Sequence, residues 1–440
     1  MDNSCMSVRH ALSHRAGSHS FVWWTGGTAS RGILSRRMQN IFGPAENRSG
    51  DWPVSLPRSC GSHDPRKEQD MDAPRHHYAA LDGVRGFAAL SVMVYHLGHW
   101  LDVGGLAVNS GLAVDLFFCL SGYVLSLSYG TRMTGARGLS AGQFLRRRLV
   151  RLMPVVIVAT MIGAAYVLVR GHLNGGGGAY AALLVAVVLA LLDLPYLFAP
   201  HEIGGPQVFP LNGPQYSLFL ELFINLFWWL TRRLDQRVLA GVMIVTCLPL
   251  VWVSGLGGDV PGTFWSGFPR VGASFFIGVA LYRFAPAIPA VMSGVPMFVM
   301  CLCLMLVLFF WPVAASRGVE MAWIAIFSPL LVISGARVRM SPALARASLW
   351  GGEVSYPLYA LHYPVFCWVN GVSQATVHAR IAIVEIPLAA IVAVAVSLFI
   401  LRHVDEPARR MLSRRRPGAT GGAAYAVGEA SVAMPAHTER

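Results

Sequence analysis

Charge is scarce in this chain of 440 residues: 13% of positions are Asp, Glu, Lys or Arg, about half of the quarter usual in soluble domains. Lysine is nearly missing, with Lys67 the only one. The excess of arginine is therefore compositional and says little by itself. The seven cysteines (Cys5, Cys60, Cys119, Cys247, Cys301, Cys303 and Cys367) show no metal-ligand spacing and imply no disulfide framework. Strict alternation of apolar and polar residues is also absent, which argues against a membrane β-barrel. No secretory signal is recognisable, because the early apolar stretch FVWWTGG is too short for one.

What the chain has instead is apolar length. Hydrophobic residues make up 55% of it, and its mean hydropathy is +0.52. Apolar segments recur at about 84–101, 111–129, 152–170, 179–199, 216–231, 238–254, 268–284, 295–314, 320–335, 354–372 and 381–401. A membrane-spanning helix needs about 20 such residues, and only helices or closed barrels satisfy their backbone in lipid. The expected fold is all-α: a polytopic transmembrane helical bundle of about 10 (10–11) membrane helices.

Three regions are expected. Residues 1–74 are rich in Ser, Arg, Gly and Pro and read as a disordered N-terminal extension. Met71 is an alternative start, which would leave that extension untranslated. Residues 75–411 form the membrane domain, and 412–440 read as a disordered cytoplasmic tail.

The net charge of +13 is explained by the positive-inside rule, without nucleic acid as a partner. Six arginines (Arg132, Arg137, Arg146, Arg147, Arg148 and Arg151) and no acid lie between Tyr129 and Leu152, which places that loop in the cytoplasm. Arg232, Arg233 and Arg237, then Arg337, Arg339 and Arg346, mark two more inner loops. Arg402, Arg409, Arg410 and Arg414 to Arg416 put the C-terminus inside. Eleven crossings from an inner start would end outside. Either one segment, within 152–199, crosses incompletely, or the first segment is entered differently; ten full crossings are favoured.

Ionisable residues inside apolar helices are costly and are the first candidates for function. Arg85 and His96 lie eleven residues apart, three turns plus about 20°, and so share a helix face about 16 Å apart along the axis. With Arg85 at the inner surface, His96 falls near mid-membrane. Asp82 suits an N-cap. Asp115 could cap the second helix or orient His96. Arg148 and Arg151 are i,i+3 neighbours, which suits phosphate oxygens as well as ordinary topology signalling. Glu221 stands four residues after Ser217 on one face of a lipophilic helix, with Arg270 as its partner or merely snorkelling. Tyr356, Tyr359 and His362 come together in SYPLYALHYPV; belt aromatics explain the tyrosines, and His362 is open. No metal site is expected.

These segments, in this order, resemble the integral-membrane acyltransferase-3 family, the O-acyltransferases of bacterial surface polysaccharides. LDGVRGFAAL with His96 is similar to the family's opening stretch and its Arg-ten-residues-His spacing. VDLFFCLSGYVL, RRRLVRLMP, YSLFLE, SYPLYALHYPV and the closing RHVDEPARR look like its later motifs, and the likeness runs from about 78 to 410. Tyr216 and Phe219 depart from the family's WSLSxE, which puts in doubt any hydrogen bond from the second serine. No esterase-like domain is expected after the last helix, unlike in some members of that family.

The resemblance implies transfer of an acyl group, usually acetyl from acetyl-CoA, to a carbohydrate hydroxyl of a surface polysaccharide, lipopolysaccharide or glycolipid, in the bacterial inner membrane. His96 is the expected general base, because imidazole has a suitable pKa. Asp115 or Glu221 would hold its tautomer. Arg85, Arg148 and Arg151 would bind the CoA phosphates. No cofactor is bound permanently; acetyl-CoA is the donor substrate, and the partners are the glycan acceptor and membrane lipid. The rival function is proton-coupled export of a glycolipid or polysaccharide, which a mid-membrane His, Asp and Glu also suit.

Overall fold

The computed structural model describes residues 78–130, 139–173, 179–377 and 381–413. Residues 1–74, Met71, Arg132, Arg137 and Arg414 to Arg416 lie outside the described residues, as does nearly all of 412–440. Among the described residues there are helices and no strand. The chain is a helical, polytopic membrane bundle.

Its helices are α1 (Ala79–Trp100), α2 (Ala113–Tyr129), α3 (Ala141–Leu173), α4 (Tyr180–Leu191), α5 (Gln215–Leu230) and α6 (Gln236–Ser254). There follow α7 (Gly267–Phe284), α8 (Val295–Phe310), α9 (Arg317–Gly335, with a π-helical turn at Trp323–Phe327), α10 (Pro342–Val377) and α11 (Ala382–Ser413, with a π-helical turn at Leu401–Asp405). Among the described residues, six stretches are both long and apolar enough to cross a membrane; they contain α2, α3, α6, α7, α9 and α11. α1 and α10 are long but carry the polar residues discussed below. Segment 152–199 divides unequally: α3 runs 33 residues, whereas α4 has 12, about 18 Å of helix against an apolar core of about 30 Å. The five cysteines of the apolar segments are all free.

Exposure sorts the helices into an inner and an outer set. The span containing α2 is 89% buried, whereas that of α6 is 17% buried. Val245, Val253, Val307 and Ile391 lie exposed on the outer helices. In water such a surface would aggregate, but in lipid it is the expected contact. The inner helices approach closely at small residues. A Cβ on Gly122 of α2 would lie 2.0 Å from the Phe275 carbonyl oxygen of α7, and one on Gly278 of α7 would lie 2.0 Å from that of Cys119 of α2. Between α1 and α10, a Cβ on Gly86 would meet the Gly351 backbone at 2.9 Å. Lipid supplies no hydrophobic force between helices, so close backbone contact of this kind is what holds them.

The helix starts differ from expectation. Asp82 sits inside the first turn of α1, with Tyr78 in the cap position and no side-chain cap. Its carboxylate instead takes a hydrogen bond from Arg85 at 2.6 Å. Leu112 likewise precedes α2, and Asp115 lies within its first turn. At α6 the capping is by side chain: Asp235 accepts from the backbone N–H groups of Arg237 and Val238.

Proline explains one further contact. Pro357 and Pro364 lie within α10, and a helical proline leaves the carbonyl four residues earlier without its partner. For Pro364 that carbonyl belongs to Ala360, and it accepts a hydrogen bond from the buried Asn212 amide at 3.1 Å. The segment carrying Tyr359 and His362 is thereby tied to the loop before α5.

The glycine contacts carry a test. Gly278→Val should force α2 and α7 apart and cost about 1–3 kcal/mol or more, read as a clear fall in the thermal midpoint of the detergent-solubilised protein. An unchanged midpoint would contradict the close packing.

Candidate active site

Two groups of polar side chains lie inside the bundle, at different depths along α1. The first is built around Glu221 of α5, whose side chain is fully buried. Its Oε1 accepts from an Arg148 Nη2–H of α3 at 2.5 Å and from the Ser121 hydroxyl of α2 at 2.7 Å. Three helices far apart in sequence thus meet at one carboxylate oxygen. The second oxygen, Oε2, is buried without a hydrogen-bond partner.

More positive charge surrounds this carboxylate. Arg85 interacts electrostatically with Glu221, and Arg151 with Arg148, Arg85, Arg409 and Glu221. Arg85 also pairs with Asp82, and Arg409 with Asp405 at 2.7 Å. Four guanidinium groups, of Arg85, Arg148, Arg151 and Arg409, thus act on one another and on buried carboxylates; the planar, permanently charged guanidinium is a group that suits phosphate oxygens. The fold brings Arg85, Arg148 and Arg151 together and adds Arg409 from α11.

The second group is a pair of histidines. His96 of α1 and His362 of α10 lie with ring centroids 5.2 Å apart. His362 is buried, and its Nδ1 is 2.7 Å from the Tyr359 carbonyl and 3.2 Å from that of Leu358. A carbonyl only accepts, so Nδ1 carries the hydrogen, and neutral His362 has its lone pair on Nε2. The Nε2 atoms of both histidines are buried without a hydrogen-bond partner. Two imidazole nitrogens are thus held away from water in neighbouring rings, and among the described residues neither is hydrogen-bonded to a carboxylate.

Neither carboxylate expected to orient His96 is hydrogen-bonded to it among the described residues. Glu221 is held by Arg148 and Ser121 as described. Asp115 is held by Arg270 of α7, which binds it through two nitrogens: Nε to Oδ1 at 3.0 Å and Nη2 to Oδ2 at 2.8 Å. Ser274 adds a bond to Oδ1 at 3.1 Å, and both charged side chains are 0% exposed. Arg270 is therefore the partner of Asp115 and not of Glu221, and it does not snorkel. Ser217, on the same helix as Glu221, bonds elsewhere: its hydroxyl lies 2.6 Å from the Pro214 carbonyl and 3.2 Å from the Tyr359 hydroxyl.

The departure at Phe219 removes nothing from this centre. Its ring packs among Phe209, Phe264 and Phe268, with centroids 6.5, 6.0 and 6.2 Å away. Sequence reasoning left two features unread: the Ser121 hydroxyl on Glu221 and the pairing of His96 with His362. Each joins residues on separate helices, and no local pattern marks either.

The bundle thus holds a pair of histidines in its interior and, at another depth along α1, a cluster of arginines around a buried glutamate. The sequence model of the acyltransferase-3 family, described as an acyltransferase domain, matches residues 78–402, and the chain belongs to this family of membrane acyltransferases. Among curated proteins, "Protein 2 in picA locus" of Rhizobium radiobacter is 33% identical over 190 residues, which is 41% of this chain and 95% of that protein. The peptidoglycan O-acetyltransferase OatA of Listeria monocytogenes is 24% identical over 337 residues, 69% of this chain and 51% of that enzyme. The O-acetyltransferase OatA of Staphylococcus aureus is 31% identical over 105 residues, 24% of this chain and 16% of that enzyme. The chain thus spans about half the length of the Listeria enzyme and a smaller part of the staphylococcal one. No solved structure matches it.

The pairing of Asp115 can be tested. Asp115→Ala strands a buried guanidinium and should cost about 3–5 kcal/mol, seen as a lowered thermal midpoint. Asp115→Leu combined with Arg270→Met should recover most of that loss. Recovery of the fold together with activity would mark the pair as structural; a stable but inactive double variant would return Asp115 to the reacting centre.

Proposed function

We propose that this protein is a bacterial inner-membrane O-acetyltransferase that takes acetyl from acetyl-CoA at the cytoplasmic face and delivers it to a carbohydrate hydroxyl. The observation that carries the proposal is the buried His96 Nε2, next to His362 and on the same helix as Arg85. Family membership and the O-acetyltransferase names of two relatives support the reaction class.

A hydroxyl attacks a thioester well only as its proton is being removed. His96 takes that proton at Nε2 while the acceptor oxygen bonds to the acetyl carbonyl carbon. The carbon–sulfur bond then breaks, and the proton passes from the imidazolium to the departing thiolate. The products are a sugar ester and free CoA, and no oxidant or metal enters the balance. His362 supplies a neighbouring lone pair, which stabilises the imidazolium without adding a negative charge to the apolar core. Arg85, Arg151 and Arg409, with Arg148 anchored on Glu221, hold the CoA phosphates at the inner end. The acetylated pantetheine arm then lies along α1 and spans the roughly 16 Å of helical rise to His96. The partners are acyl-CoA, a polysaccharide or glycolipid acceptor, lipopolysaccharide included, and membrane lipid.

Membranes supplied with acetyl-CoA labelled in its acetyl group should move label into the glycan and glycolipid fraction. His96→Ala, at equal expression, should lower that transfer by about 10²–10⁴-fold, the range for loss of a general base. Undiminished transfer would remove His96 from the chemistry, and no thioester use with any acceptor would favour the exporter.

Arg151→Ala should act on the donor alone. One lost charge-assisted contact should raise the KM for acetyl-CoA about tenfold, with kcat changed much less. A fall in kcat at unchanged KM would argue against phosphate binding there.

A further inference from the structure

A second set of arginines, which the reaction above does not use, stands on the outer surface where α3 begins and α11 ends. α3 packs there against the π-helical turn at Leu401–Asp405 and against the Glu406–Ser413 segment that follows it. An Nη2–H of Arg146 donates to the Leu412 carbonyl, which holds the end of α11 against the bundle. Arg146, Arg147, Arg402 and Arg410 are all exposed. The two acids of this segment are already taken, Asp405 by Arg409 and Glu406 by Arg410. Among the described residues, no carboxylate is bonded to Arg147 or Arg402.

Apolar surface adjoins these arginines on both sides along α11. Before the turn, Ile391 is 67% and Phe399 58% exposed, on the face that meets lipid. His403, next to Arg402 and also exposed, stacks on Phe399 with ring centroids 4.5 Å apart. After Arg410 come Met411, 72% exposed, and Leu412, 47% exposed. Water would suit the guanidinium groups and not Met411 or Leu412, and hydrocarbon would do the reverse. The headgroup layer of a bilayer suits both, as it does for amphipathic helices that lie in the interface.

Charge then selects the headgroup. A guanidinium pairs well with the oxygens of a phosphate, and a zwitterionic lipid brings a cation that competes for the same oxygens. An anionic phospholipid brings none. The contrast with Arg148, which is buried on Glu221, is one of place: Arg147 and Arg402 lie outside the bundle, where lipid is the neighbour.

We propose that the start of α3 and the end of α11 form a binding site for an anionic phospholipid, whose phosphate is taken by Arg147 and Arg402 and whose acyl chains lie along the Phe399 face. The site also bears on the interior. Arg409, next to Arg410, acts on Arg151 in the cluster around Glu221, so lipid held here steadies the helix that brings Arg409 inward. The site does not depend on which group the protein transfers.

The test uses the purified full chain in nanodiscs of phosphatidylcholine that contain a photoreactive phosphatidylglycerol or, in parallel, a phosphatidylcholine with the same reactive chain. After irradiation, peptides from 141–150 and 399–413 should carry the phosphatidylglycerol about fivefold more than the phosphatidylcholine, the effect of roughly one arginine beside an anionic headgroup. Arg147→Gln with Arg402→Gln should bring that ratio to about one. Both side chains are exposed, so the thermal midpoint in pure phosphatidylcholine should match wild type. Arg402→Gln alone should lower the ratio about twofold, and it serves as the test if the double variant is unstable. Arg233→Gln with Arg237→Gln removes two exposed arginines near the start of α6 and should leave the ratio at its wild-type value. Equal labelling by the two lipids in wild type would overturn the site. An equal fall in the Arg233 and Arg237 variant would do so as well, because any positive charge would then serve. Displacement of the adduct by excess CoA would assign these arginines to the donor, and displacement by excess inorganic phosphate would assign them to a free anion; either result would overturn the lipid assignment.

Discussion

Charge inside lipid has to be answered from a neighbouring helix, since water is not there to do it. This bundle is organised around two such answers. Arg270 of α7 is matched to Asp115 of α2 by two hydrogen bonds, and Arg148 of α3 to Glu221 of α5 by one at 2.5 Å. Each pair joins helices that have no local reason to be adjacent. An unmatched member would cost several kcal/mol, so the pairs restrict which helices can be neighbours. The glycine contacts between α2 and α7 then bring those two backbones close enough for the Asp115 pair to form.

The two pairs differ in what they leave over. Asp115 uses both oxygens on Arg270, with Ser274 adding a further hydrogen bond, and what is left over is the Arg270 Nη1. Glu221 uses one oxygen and keeps the other without a hydrogen-bond partner, with Arg85 and Arg151 acting on it electrostatically. Both pairs tie the helices together; the second also has further arginines acting on it.

A division along α1 follows. One helix carries Arg85 at the charged end, His96 in the interior and Trp100 at its last residue. Helical rise sets these apart by fixed distances. α10 runs alongside and supplies His362 opposite His96, with Pro357 and Pro364 on either side of it in the sequence. The Asn212 bond to Ala360 satisfies the carbonyl that Pro364 releases, so the break in the helix ladder does not loosen the histidine.

Much of the fold was legible because lipid imposes length and apolarity on each helix, and both are one-dimensional properties. The spacing of Arg85 and His96 on one face is equally one-dimensional, and the resemblance to the acyltransferase-3 family extends it to six ordered segments. Partner choice is not of that kind. Nothing near Arg270 distinguishes Asp115 from Glu221 as its mate, because the two carboxylates lie on different helices and only packing decides which is within reach. The caps misled for a related reason: Asp82 has an arginine one turn away, and that pair outcompetes the backbone N–H groups for its carboxylate.

By itself, then, the sequence determined a many-helix membrane protein, the face shared by Arg85 and His96, and a run of arginines ahead of the third helix, all of which follow from composition and the period of a helix. Tertiary structure alone decided that Glu221 binds Arg148 and that His96 meets His362. Those facts depend on which helices touch, and contact between helices is set by shape and charge in three dimensions.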